Sequence, residues 1–122
     1  MLFRVRCAPE KIERETFSDE CISSTRGEHY IGHINRTISG IACQHWSEQW
    51  PHAHSYDDIE YFADYSSNPD VELHDVVNYC RNPVRSAYFD GQPWCFTIDE
   101  DVEKEFCDVP RCKRKTRFLL LS

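Results

Sequence analysis

A small disulfide-rich fold, mostly irregular with short antiparallel β-strands, is the class that this sequence predicts, and three observations predict it. Six cysteines, Cys21, Cys43, Cys80, Cys95, Cys107 and Cys112, fall between positions 21 and 112 of a 122-residue chain. The apolar fraction is 40% and the mean hydropathy is −0.64, which is low for a chain that must bury a core unaided. Turn-formers recur every dozen or so residues, at Arg26-Gly27, Ser39-Gly40, Asn68-Pro69, Asn82-Pro83 and Asp90-Gly91, leaving room only for short elements between them.

The cysteines come first, because a chain this small buries a limited share of its unfolded surface and gains from covalent staples. In the chain-entropy model, closing a loop of about 90 residues contributes roughly 4–5 kcal/mol, less any native strain. Such density points to an oxidising compartment, since cytosolic thiols are kept reduced. Zinc is the competing explanation, but structural zinc sites usually come as two close cysteine pairs. Here only Cys107 and Cys112 are close, with four residues between them, so bridges are favoured over metal. The tripeptide Asn35-Arg-Thr37 is an N-glycosylation sequon, consistent with secretion. The start, Met1-Leu-Phe-Arg-Val-Arg-Cys7, carries no apolar run long enough for a signal peptide, and no run reaches membrane-spanning length. An oxidised domain without an export signal is expected to be a piece of a longer protein. Cys7 stands outside the set of six and is expected to pair with a missing domain, to remain free or to bridge to another molecule.

Three segments follow along the chain: a polar lead-in at 1–20, the stapled unit at 21–112, and a basic tail at 113–122. The formal charge of −7 is unevenly spread. The stapled unit holds 16 acidic residues against 6 basic ones, a net of −10, and Lys113, Arg114, Lys115 and Arg117 then add four positive charges. An acidic body argues against nucleic-acid binding, which needs a basic footprint. Apolar and aromatic stretches around Trp94-Cys-Phe-Thr-Ile98 and Val76-Val-Asn-Tyr79 predict short antiparallel strands. The stretch Asp57–Tyr65 predicts a helical turn that Asp57 can cap.

With these neighbours in view, residues 21–112 resemble a kringle domain. The matching strings run in order: Cys21, Gly27, Tyr30 with Gly32, Thr37, Ser39-Gly40, Cys43-Gln-His-Trp46, Pro51-His-Ala-His54, Asn78-Tyr-Cys-Arg-Asn-Pro83, Pro93-Trp-Cys-Phe-Thr97 and Cys107-Asp-Val-Pro-Arg-Cys112. Six cysteines allow fifteen pairings. The resemblance implies one of them: Cys21–Cys112, Cys43–Cys95 and Cys80–Cys107, with Trp46 and Trp94 packed around the two crossing bridges. The Cys107–Cys112 ending and Pro93–Glu100 are similar to kringles of receptor tyrosine kinase-like orphan receptors. Ser39–Ser47 with Pro51–Tyr56 is similar to kringles of hepatocyte growth factor, and plasminogen-type kringles share the frame as well.

Kringles are binding modules, which implies a non-catalytic extracellular domain of a larger receptor or secreted factor, contacting a protein ligand or co-receptor and needing no cofactor. In the plasminogen-type kringle the familiar ligand is a lysine side chain. Its recognition needs a carboxylate pair for the ammonium, an aromatic trough for the methylene stem and a cation for the carboxylate end. Between the Asn82-Pro83 and Pro93-Trp94 strings this chain offers one acid, Asp90, beside Tyr88 and an Arg85 of the wrong sign. Trp94 and Phe96 match the family's aromatic positions, but the third aromatic position is Lys104 and the cationic one is Glu103. The site is therefore expected to be degenerate, with Trp94, Phe96, Tyr88 and Asp90 as its remnants.

Other features carry bland readings beside sharper ones. Residues 57–75 hold Asp57, Asp58, Glu60, Asp64, Asp70, Glu72 and Asp75 with Tyr61, Phe62 and Tyr65 interleaved. This is either a solvated insertion or an acidic–aromatic patch for a basic partner. His45, His52 and His54 could suggest a metal, but Pro-His-x-His resembles the family frame, so no metal is expected. Residues 113–117 could bind heparan sulfate or mark a processing site, but an interdomain linker or sequence foreign to the domain is the favoured reading. No Gly-x-Ser-x-Gly or His-Glu-x-x-His string is present, and a nucleophilic cysteine would conflict with the bridges, so no hydrolase is expected. The rival reading is an accessory kringle of a plasminogen- or prothrombin-like serine protease zymogen, or a lysine- or heparin-binding module in its own right.

Overall fold

Two three-residue strands form the centre of the molecule. In the computed structural model, which describes residues 20–62 and 69–113, strand β1 (Trp94–Phe96) runs antiparallel to strand β2 (Lys104–Phe106), pairing Trp94 with Phe106, Cys95 with Glu105 and Phe96 with Lys104. Alternation of aromatic residues around a cysteine suits β1 to a pleated strand. Unlike a half-exposed strand, it is buried at all three positions. Single bridges continue the pairing on either side, Arg81 with Trp94 and Cys43 with Thr97.

All three disulfides are those that the kringle resemblance implies. Cys43–Cys95 and Cys80–Cys107 anchor the two strands to the segments beside them, with Cα separations of 5.7 and 6.4 Å. Their sulfurs touch, Cys43 Sγ lying 3.7 Å from Cys80 Sγ. Cys21–Cys112 ties the two ends of the unit, where Ile22 and Arg111 also form a parallel bridge. The Cα separations fall within the ordinary range for bridged cysteines.

An aromatic cluster packs around the sulfur pair. Trp46 and Trp94 are buried with ring centroids 5.3 Å apart in an edge-to-face arrangement, and Phe62 and Phe96 complete the cluster. Each buried indole has a hydrogen-bond acceptor for its N–H: Tyr79 O for Trp46 at 2.7 Å, and Ser86 Oγ for Trp94 at 3.0 Å. That satisfies the polar edge that would otherwise penalise burial. Arg81 is also buried, its guanidinium donating to the carbonyls of Gly32 and Cys80 and lying over the rings of Tyr30 and Tyr79.

The family strings have local physical reasons. Asn82 donates from its side chain to Arg26 O, joining the Asn-Pro string to the Arg26-Gly27 turn. Gly27 has φ +73°, and a Cβ there would sit 2.3 Å from Gly91 O, so only glycine fits where these two turns meet. Asn78 donates to Cys43 O at 3.1 Å.

Two local expectations are corrected. Val76-Val-Asn-Tyr79 is not a strand. A 3₁₀ turn spans Leu73–Val76, opened by a reciprocal capping box in which Asp75 Oδ2 accepts the Glu72 N–H at 2.8 Å, and Val77 then turns to φ 56°. That turn aims Val77 O at the Trp46 N–H, 2.9 Å away. The helical turn predicted from Asp57 is a shorter 3₁₀ turn at Ile59–Tyr61, and its cap is Asp58, whose Oδ1 accepts from Glu60 N at 3.0 Å. The lead-in with Cys7, and the tail beyond Lys113, lie outside the described residues.

Candidate ligand-binding site

The remnants expected from the sequence come together around β1, except for Asp90. Tyr88 stands edge-on to Trp94 at 5.0 Å, and Trp94 edge-on to Phe96 at 5.1 Å. They are unequally available: Trp94 is 0% and Phe96 4% exposed, whereas Tyr88 is 38% exposed. Trp94 is hemmed in by Trp46, Tyr56, Tyr88, Phe89 and Phe96. Phe96 is stacked by the His54 ring at 4.8 Å and 17°.

Lys104 lies against these rings. Strand register sets it opposite Phe96, and its Nζ lies 4.4 Å from the Tyr88 ring centroid and 5.9 Å from that of Phe96. The ammonium also pairs with Glu103 Oε1 at 3.3 Å, and the Lys104 side chain is only 20% exposed. Lys104 thus places its own cation over aromatic faces, with its methylene stem shielded. Asp90 does not join. It is exposed in the Phe89–Gly91 turn at φ 51°, and the ion pair of Lys104 is with Glu103 instead.

Sequence reasoning missed Tyr56 and His54 as walls of this cluster. Tyr56 lies 5.7 Å from Trp94 and 5.3 Å from Tyr61. Burial, followed by the neighbouring Tyr88, raises its phenol pKa above the ordinary value. His54 is held as the neutral tautomer by Tyr56 N–H donating to Nδ1 at 3.0 Å and by Nε2 facing Glu48 O at 2.9 Å. Burial lowers its pKa, with backbone acceptors opposing. The signal was present as the alternation His54-x-Tyr56, and the two rings stack at 6.4 Å.

The other candidates separate by position. Of the acidic insert, Phe62 is buried against Trp46 at 5.1 Å and Tyr61 is half-buried, while Asp57, Asp58, Glu60, Asp70, Glu72 and Asp75 are exposed. Its described aromatics thus anchor the segment, and its acids face solvent; Asp64 and Tyr65 lie outside the described residues. Beside it, a cavity of about 160 Å³ is lined by Asp58, Glu60, Tyr61, Val84 and Arg85. His52 Nε2 faces Asp99 O at 2.8 Å. Among the described residues, the side-chain group with metal-holding geometry is Cys43, Cys80, Cys95 and Cys107, which are already bonded to one another. Asn35 is exposed, and Thr37 of the same sequon is buried with Oγ1 accepting from Ile41 N. Of residues 113–117 only Lys113 is described.

Three bridges, a sparse pair of strands and an aromatic cluster packed on the sulfurs define a small stapled module. The family profile for the kringle domain matches residues 21–112, and the chain belongs to the kringle family. Kringle domains are non-catalytic modules that mediate protein–protein binding, and the disulfides fit the extracellular setting typical of them. Among the described residues, no helix is long and apolar enough to cross a membrane.

Proposed function

We propose that this kringle is an extracellular protein-contact module of a larger receptor or secreted factor, and that its lysine-type recess is closed by its own Lys104. One observation supports the reading above the others: Lys104 Nζ sits over Tyr88 and Phe96 and is paired with Glu103. An external lysine would have to displace an ammonium that is already partnered, and would find Glu103 where its carboxylate needs a cation. Titration of the oxidised protein with 6-aminohexanoic acid, followed by intrinsic fluorescence, tests this. No saturable change is expected at micromolar ligand; saturable quenching there contradicts it. The ligand is then a folded protein or co-receptor that uses other surface. Asn35, exposed ahead of Thr37, is the proposed glycan acceptor. Treating protein secreted from eukaryotic cells with an N-glycosidase should lower its mass, and Asn35→Gln should abolish that change.

A further inference from the structure

Of the three tryptophans, Trp46 and Trp94 are buried and Trp50 is 71% exposed. The next most exposed large apolar side chain among the described residues is Ile98, at 57%. The two lie on neighbouring turns. His52, two residues after Trp50, places its ring nitrogen against the carbonyl of Asp99, the residue after Ile98. Gln44 N–H donates to Phe96 O, and the Gln44 side chain then bonds Glu48 O, His52 O and His52 N, laying the 48–52 loop beside the end of β1.

Both turns are built firmly. Besides the buried Gln44, His54 clamps the first turn through Glu48 O, and Gln49 Oε1 accepts from His54 N at 2.7 Å. In the second, Thr97 Oγ1 accepts from Asp99 N, Asp99 Oδ1 accepts from Asp101 N at 2.8 Å, and Val102 N donates to Asp99 O. An exposed indole on a braced turn costs little conformational entropy to engage, which favours recognition. The charge around it has one sign. Residues 43–56 and 96–103 contain no lysine or arginine but hold Glu48, Asp99, Glu100, Asp101 and Glu103, of which Glu103 already faces Lys104.

We infer that the Trp50–Ile98 edge is a docking surface for a lysine- or arginine-bearing segment of a partner protein. The cation lies over the Trp50 indole, its aliphatic stem runs along Ile98, and Glu100 and Asp101 face the charge. A cation over tryptophan is the strongest of the cation–π pairings, and an acidic rim steers a basic partner to it. This edge is separate from the Lys104 recess, so it stands whether or not that recess is closed.

Calorimetric titration of the full oxidised chain with a peptide alternating arginine and alanine tests the inference, with a glutamate–alanine peptide as control. The arginine peptide should bind, bind more weakly as salt rises, and protect Trp50 from acrylamide quenching, while the glutamate peptide should neither bind nor protect. Trp50→Ala should weaken binding by about tenfold or more, Trp50→Phe by less, and Glu100→Gln with Asp101→Asn by about threefold with a shallower salt dependence. Tyr88→Ala should leave it unchanged. Near-UV circular dichroism confirms that each variant retains the fold. Absence of binding below millimolar peptide, equal binding of the glutamate peptide, or an affinity unaltered by Trp50→Ala overturns the inference. So does loss in Tyr88→Ala with retention in Trp50→Ala, which would move the site to the recess.

Discussion

Strand β1 and the turn at Trp50 both present aromatic side chains, and the molecule treats them in opposite ways. Around β1 the rings are engaged: Trp94 donates its N–H to Ser86, His54 stacks on Phe96, and Lys104 lies over the exposed ring of Tyr88. At the Trp50 turn the backbone is just as well braced, by Gln44 and His54, yet the indole projects into water. The difference shows that conformity to the family frame does not predict exposure. Trp94 and Phe96 hold family positions and are core, while Trp50 lies between the family strings and is surface. An exposed large aromatic on a rigid turn is the less expected observation, and so the more informative one.

The largest expected contrast lies between the tryptophans themselves. Trp94→Ala should cost about 4–5 kcal/mol, because it opens a cavity beside the sulfur pair and strands the Ser86 hydroxyl. Trp50→Ala should change stability by no more than about 0.5 kcal/mol. Chemical denaturation of both variants measures the pair, and similar losses would erase the distinction between the regions. Next comes the bridge behind β1. Replacing Cys43 and Cys95 together by alanine opens a loop of sequence separation 52 and should cost about 4 kcal/mol, read in the same way. Gly27→Ala should cost about 2 kcal/mol through its positive φ and the approach of Gly91 O, without disturbing the Trp50 edge.

The smallest effect is a dependence on pH. Burial lowers the pKa of His54 below its ordinary value of 6.5, so the unfolded chain binds this proton more readily than the folded one. The contribution is therefore fully present above about pH 6.5 and is lost as the pH falls towards the folded pKa. Protonation would also remove the Nδ1 acceptor of the Tyr56 N–H. Denaturation midpoints between pH 5 and 7.5 should fall on acidification in the wild type and fall less in His54→Asn.

Much of the fold was legible because disulfide chemistry and the strings around it are local. Cysteines with Asn78–Pro83 and Pro93–Thr97 pointed to the family, the strand at Trp94 and the two packed tryptophans. Val76–Tyr79 was misread because two valines before a tyrosine suit a strand, while the Glu72–Asp75 capping box and the backbone reversal at Val77 act against one. At the recess, sequence position indicated that Lys104 replaces an aromatic. It did not reveal that Lys104 turns its ammonium onto Tyr88, because that depends on the register of β2 against β1 and on the fold of the 84–92 loop. Exposure of Trp50 was illegible for the same reason. Burial of an indole is set by long-range packing, and a place outside the family strings does not by itself say whether an indole is buried or exposed.

The central claim, that the recess is filled from within, is tested most directly by the nuclear magnetic resonance signals of the Lys104 ε-methylene protons. Over the faces of Tyr88 and Phe96 they should resonate upfield of the other lysines and return towards ordinary positions in Tyr88→Ala, with the remaining spectrum preserved. An unshifted Lys104 signal in the wild-type protein, unchanged by Tyr88→Ala, would show the recess open and contradict the account.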